Sequence, residues 1–302
     1  MPSHIIDGKA IARKLRAEYH VRVDALKAQH GIVPALTVIL VGDNPASRSY
    51  VRNKIAGCRD IGIRSELIEL PSSVSEAELL AHIEKLNNDP AIHGILVQLP
   101  LPPHIGVANV LERISVEKDV DGFHLYNMGG LVTGNTVFSP CTPYGVQKIL
   151  EHENIRVEGQ NVVVVGASNN VGKPTALMLM QQDATVSICH IKTRDLGQFT
   201  ILADILVVAA GVPNLIVPQM VKTGAVVIDV GFNRLPDGRI VGDVDFEGVK
   251  AKASYLTPVP GGVGQMTVTM LLHNTILSAE RAAAAVTQAF RARKPVEDSE
   301  PV

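Results

Sequence analysis

The chain has 302 residues, is 46% hydrophobic and carries a formal charge of −2. That length gives room for two domains and a sizeable core, and the near-neutral charge argues against a nucleic-acid partner or an anionic membrane surface. No apolar run reaches the roughly 18 residues that span a bilayer, and the first residues lack a secretory h-region; Cys58, Cys141 and Cys189 give neither a disulfide framework nor a zinc pattern, so no metal and a reducing cytoplasm are expected.

Helical periodicity runs from Asp7 to His30, with Ile11, Leu15, Val23 and Leu26 on its apolar side and Gly31 as the stop. Residues 35–41, ALTVILV, read as a buried strand. Gly42, Asp43, Asn44 and Pro45 make a turn, and residues 47–61 form a helix. On that helix Tyr50 and Lys54 stand four apart and share a face. A short strand over 67–70, an amphipathic helix over 76–87 and a buried strand over 93–99, HGILVQL, follow. The first third is therefore a βαβαβ layer. Ligands gather beyond the carboxyl ends of such strands, which points at Gln98 and the Tyr50–Lys54 helix. Residues 115–140, rich in Gly, Asp and Asn, read as a loop region.

A helix from Pro143 to about His152 leads into a second layer. Its centre is NVVVVGASNNVGKP, residues 161–174. Four valines have the stiff chemistry of a strand buried on both faces. Gly166 permits a sharp turn; Ser168, Asn169 and Asn170 suit a helix N-cap, and Gly172 lets the helix over 174–182 pack closely. Strand, glycine turn and helix form a phosphate-cradling geometry, although the G-x-S-x-x-x-G spacing is a weak match to the dinucleotide fingerprint, and a plain tight turn is the competing reading. Strands over 185–190, 203–211 and 225–231 complete a doubly wound parallel sheet. An NAD-binding unit usually carries an acid after its second strand. Here His190, Ile191, Lys192, Thr193 and Arg194 stand there, which favours NADP over NAD; a solvated basic loop is the alternative. The Gly/Pro-rich run over 257–264 precedes a helix from Met266 to about Phe290, and residues 293–302 form a polar tail expected to fray.

Lys54 is the best catalytic candidate, a lysine beside an aromatic that can serve as general acid or base. A solvated surface lysine is the plain alternative. Tyr50 can stack on a flat heterocycle or simply pack. Gln98, polar within an apolar run, needs a partner: Lys54, a substrate or backbone. Asp121 can grip an amino-pyrimidine edge or cap the turn at Gly122. Gly261 and Gly262 allow backbone to approach a ligand, or make an interdomain turn.

Together these stretches resemble the bifunctional methylenetetrahydrofolate dehydrogenase/cyclohydrolase family. The matching motifs, in the family's order, are SYVRNKIAGCRDIGI (49–63), HGILVQLPLP (93–102), EKDVDGFH (117–124), PCTPYGV (140–146), VVGASNNVGKP (164–174), AVVIDVGFNR (225–234) and TPVPGGVGQMT (257–267). The resemblance implies two α/β domains flanking a cleft, the second a Rossmann-like doubly wound parallel sheet. Residues 1–139 with 274–302 would form the folate-binding catalytic domain and 140–273 the NADP-binding domain. It implies Lys54 as catalytic lysine, Tyr50 over the folate, Gln98 holding Lys54, Asp121 on the pterin, and Pro260, Gly261 and Gly262 along the folate. Gly166, Ala167, Ser168, Ile191 and Phe232 would meet NADP. It further implies a cytoplasmic homodimer in one-carbon folate metabolism, the supply line for purine, histidine and methionine biosynthesis. Ala167 and Ile191 stand where many relatives carry Arg and Ser, and offer a 2′-phosphate no side-chain donor; Lys192 and Arg194 are the nearby cations. A dehydrogenase with weak cyclohydrolase activity or NAD preference, a shikimate-type dehydrogenase and a folate-binding protein without turnover are the competing readings.

Overall fold

The structure is a computed structural model that describes residues 3–292. The tail at 293–302 lies outside them. In chain order the chain opens with strand β1 (His4–Ile5) and helix α1 (Gly8–His30). There follow β2 (Ala35–Val41), α2 (Pro45–Asp60), β3 (Arg64–Leu70), α3 (Glu76–Asn87), β4 (Gly94–Val97) and α4 (Val107–Arg113). Then come α5 (Leu125–Thr133), α6 (Cys141–His152), β5 (Asn161–Val165), α7 (Gly172–Met180), β6 (Thr185–Cys189), α8 (Leu196–Thr200), β7 (Ile205–Val208) and β8 (Val226–Asp229). A small hairpin of β9 (Asn233–Arg234) and β10 (Ile240–Val241), then α9 (Phe246–Lys250), β11 (Tyr255–Leu256) and α10 (Val263–Ala292), complete it.

Among the described residues these elements form two compact units: residues 18–118 with 272–292, and residues 3–17 with 119–271. In the first, parallel strands run in the order β3-β2-β4. All seven residues of β2 are buried, as a central strand covered on both faces requires. Ile39, Leu79, Ile83, Ile95 and Val110 pack one side of it. Asn44 starts α2: its side-chain oxygen accepts from Ala46 N and Ser47 N, and Pro45 fills the first turn. Ser75 and Glu78 form a reciprocal capping box on α3.

The second unit holds a six-stranded parallel sheet in the order β1-β11-β8-β7-β5-β6. Val163, Val165, Leu206, Val208 and Val227 are at the centre of its core. The order reverses between β5 and β7, a switch point of the kind where open α/β sheets bind ligands. The same reversal occurs between β2 and β4 in the first unit.

Three expectations need correction. The segment 115–140 is not simply loop, because it contains α5. Its composition hides a helix held by side chains: buried Asn127 donates to Asp119 Oδ2 at 2.8 Å and accepts from Val137 N at 2.9 Å and Phe138 N at 3.1 Å. His124 Nδ1 accepts from Tyr126 N at 3.0 Å to cap the start, and Gly134 ends it in the left-handed region at φ 78°. Next, α7 begins at Gly172, before the expected Pro174, and Val171 is the N-cap with no side-chain cap bond. Ser168 acts from further back, its Oγ accepting from Val171 N at 3.2 Å and Gly172 N at 3.4 Å. Finally, β1 and β11 extend the sheet beyond the four strands read from sequence; each is two residues long and has no period to detect.

Candidate active site

Within the first unit, α2 and the chain leaving β4 bring Lys54 and Gln98 together. Asn44 and Pro45 set the helix start, so Tyr50 and Lys54 lie on successive turns of one face. Lys54 is only 9% exposed, and its Nζ donates to Gln98 Oε1 at 3.1 Å. The solvated-surface reading of this lysine is therefore excluded. A buried polar group needs a hydrogen-bond partner, and the Gln98 amide oxygen is that partner for Lys54. Gln98 is fixed at both ends: its N donates to Ile39 O at 2.9 Å and its Nε2 to Leu99 O at 2.7 Å. That second bond settles the amide orientation and presents Oε1 to the lysine. Tyr50 is 41% exposed, open enough to stack on a ligand.

Asp121 lies in the second unit, in the turn where Gly122 has φ 78°. The turn-capping role belongs to Asp119 instead, whose carboxylate accepts from Phe123 N at 3.2 Å and His124 N at 2.8 Å. Asp121 has no hydrogen-bond partner among the described residues and is half-buried, so its acceptors remain available. Burial pushes the Asp119 carboxyl up to about 6 against its hydrogen bonds, with Asp121 adding to the rise. Gly262 packs against the amino end of α1: a Cβ on Gly8 would meet the Gly262 carbonyl carbon at 2.7 Å. Gly261 has φ 117°, and the Val259–Pro260 peptide is cis. The glycine pair thus serves a close backbone crossing, and Pro260 beside it is exposed.

The glycine turn sits at the switch point of the six-stranded sheet. Gly166 has φ 119° and its N donates to Cys189 O at 2.9 Å. A Cβ on Gly166 would lie 2.7 Å from the Ala209 carbonyl carbon, at the end of β7. One on Gly172 would lie 2.6 Å from the Gly166 carbonyl carbon. The turn and the first residue of α7 therefore touch backbone to backbone, a closeness that only glycine allows at these two positions. Ile191 is 97% exposed and Phe232 is 47% exposed, both following strands of this sheet.

Sequence reading missed the pair that organises these strand ends. Asp243 Oδ2 accepts from Ala210 N at 2.6 Å and Gly211 N at 2.8 Å, and its Oδ1 accepts from Asn233 Nδ2 at 2.8 Å. Asp229 accepts from Gly231 N at 2.9 Å, Asp243 N at 3.0 Å and Val244 N at 3.0 Å. Burial pushes Asp229 up to about 6, opposed by those three N–H donors. The available signal was Asp229 itself, an acid closing a run of buried valines and isoleucine.

Comparison with known proteins decides the family. Residues 6–121 match the tetrahydrofolate dehydrogenase/cyclohydrolase catalytic domain, and residues 140–283 match the NAD(P)-binding domain of the same family. The chain belongs to the tetrahydrofolate dehydrogenase/cyclohydrolase family. It is 58% identical over 282 residues to the "Bifunctional protein FolD" of Nitrosospira multiformis, covering 93% of this chain and 98% of that one. Among solved structures it resembles the FolD dehydrogenase/cyclohydrolase of Campylobacter jejuni, with 52% identity, TM-score 0.91 and coverage of 92% and 99%. It also resembles the Trypanosoma brucei enzyme complexed with NADP and an inhibitor, with 38% identity, TM-score 0.89 and coverage of 93% and 98%. In this family member no group of three or more His, Cys, Asp or Glu side chains suited to a metal occurs among the described residues. No described helix is long and apolar enough to cross a membrane.

Proposed function

We propose that this chain oxidises 5,10-methylenetetrahydrofolate with NADP and then hydrolyses the methenyl product to 10-formyltetrahydrofolate. The observation that carries the reading is the buried Lys54 Nζ held on Gln98 Oε1 at the carboxyl ends of a parallel sheet. NADP, when bound, accepts the hydride released by the substrate's methylene carbon. The residues fit such a cofactor: Gly166, Ala167 and Ser168 would take its phosphates at the start of α7, with Ile191 and Phe232 beside it. Lys192 and Arg194 would supply the charge for a 2′-phosphate that Ala167 and Ile191 do not.

In the hydrolytic step water attacks the methenyl carbon, a proton leaves, and the five-membered ring opens. Lys54 manages that proton, and Gln98 holds the lysine in register. Tyr50 would lie over the folate, Asp121 would accept hydrogen bonds from the pterin amino group, and Pro260, Gly261 and Gly262 would run along it. The functional division falls between a folate-binding part, residues 1–139 with 274–302, and a cofactor-binding part, 140–273. A cytoplasmic homodimer is the proposed working form.

The test uses two cuvettes: methylene substrate with NADP or with NAD in one, and preformed methenyl compound in the other. NADP reduction together with methenyl loss supports the reading. Turnover with NAD alone would make Ala167 and Ile191 marks of a changed cofactor preference. Silence in both, from folded protein, would leave a folate-binding protein.

A further inference from the structure

A cavity of about 850 Å³ lies in the first unit, at the opposite end of its sheet from Lys54 and Gln98. Ile32 and Val33 precede β2, Arg64 opens β3, and Ile92 and His93 precede β4, so the cavity is at the amino ends of the strands. A seven-residue strand is about 23 Å long, which separates the two sites. We propose that this cavity binds a small monoanion with an apolar body, an aromatic carboxylate being the class that fits it.

His93 supplies the first polar contact. It is 6% exposed, and its Nδ1 accepts from Ala35 N at 3.2 Å. An accepting Nδ1 carries no proton, so the neutral ring is protonated at Nε2. Nε2 has no partner among the described residues and is not sealed from solvent, and His93 lines the cavity. Burial, then the charges of Lys118 and Arg64, hold the imidazole below its usual range against Asp89, which keeps it a neutral N–H donor.

Positive charge comes from the walls. Arg64 Nη2 donates to Ala91 O at 2.7 Å, which fixes the guanidinium while its other N–H groups have no partner among the described residues. Arg281 adds a second guanidinium to the lining. Lys118 Nζ donates to Leu86 O, Asn87 O and Asp89 O at 2.9, 2.8 and 2.7 Å, so its donors are spent but its charge remains. Glu117 on the same wall disfavours a dianion. The remaining lining is largely aliphatic. Few free donors, a basic excess tempered by one acid, and an apolar wall suit a carboxylate on a hydrophobic body better than a free phosphate.

The probe is benzoate, titrated into the full chain by calorimetry and by NMR of the histidine rings. Saturable binding with a shift of the His93 Nε2–H signal is expected. Benzyl alcohol, which lacks the charge-assisted contact, and inorganic phosphate, which lacks the apolar body, should each bind about tenfold more weakly or worse. Arg64→Ala should weaken benzoate by a similar factor, and Ala282→Trp, which fills the cavity from its wall, should abolish binding; both should keep wild-type dehydrogenase turnover. The proposal would be overturned by no saturable binding, by binding that leaves His93 unmoved or survives Ala282→Trp, or by benzyl alcohol bound as tightly as benzoate. Displacement of benzoate by the folate substrate would equally assign it to the catalytic site instead.

Discussion

Replacing Gly172 by alanine should separate the two activities. The added Cβ would stand 2.6 Å from the Gly166 carbonyl carbon and 3.1 Å from Ala167 N. Carbon atoms pack at about 3.5–4.0 Å, so the turn and α7 must part by about 1 Å. Overpacking of this kind costs about 1–3 kcal/mol, and a misplacement of about 1 Å at a positioned ligand costs on the order of 10²-fold in rate. We expect dehydrogenase kcat/KM to fall about 100-fold, chiefly through a raised KM for NADP. Hydrolysis of preformed methenyl substrate should stay near wild type, because Lys54 and Gln98 belong to the other compact unit. Urea unfolding of the variant confirms that it is folded. An unchanged KM for NADP in folded Gly172→Ala, or equal loss of both activities, would refute the reasoning.

Gln98→Leu should leave Lys54 Nζ without its 3.1 Å acceptor and lower cyclohydrolase turnover about 10²-fold or more, read from methenyl loss; wild-type turnover would remove Gln98 from the mechanism. Asp121→Ala should weaken folate binding by about 1.5–3 kcal/mol, the worth of hydrogen bonds to a charged group, with NADP affinity unaltered; calorimetry distinguishes the two. Stability should also depend on pH through Asp119 and Asp229, both raised from 3.8 to about 6. The fold favours their protonated forms, so each contributes stability that is complete below pH 3.8 and lost as pH rises through about 6. The shift corresponds to about 3 kcal/mol per group. Urea titrations at pH 4.5 and 7.5 should show the stability of wild type relative to Asp119→Asn declining as pH rises; a constant difference would contradict the assignment.

How much of this was readable in the sequence depended on what holds each segment. The strand at 35–41 and the helix at 76–87 emerge with the expected bounds, because continuous burial and a capping box are local signals. The valines before Gly166 located the cofactor sheet for the same reason. The helix at 125–133 was hidden because side-chain bonds hold it: Asn127 bridges Asp119 before the helix to Val137 and Phe138 just after it. Lys54 stood out from its neighbour Tyr50 and from the family motif, yet its burial on Gln98 depends on a pairing across 44 positions. The Asp119 and Asp121 pair shows the limit most clearly. Sequence spacing suggested that Asp121 caps the turn or holds a ligand; the fold assigns capping to Asp119 and leaves Asp121 available. The Asp229–Asp243 network is likewise long-range, joining three strand ends that no local pattern connects.

We propose that Lys54 drives the hydrolytic step and not the redox step. The most direct measurement follows Lys54→Met, supplied with methylenetetrahydrofolate and NADP, by NADPH and methenyl absorbance together. The account predicts NADPH formation with methenyl compound accumulating in equal amount and without passage to 10-formyltetrahydrofolate. Methenyl loss at the wild-type rate would contradict it.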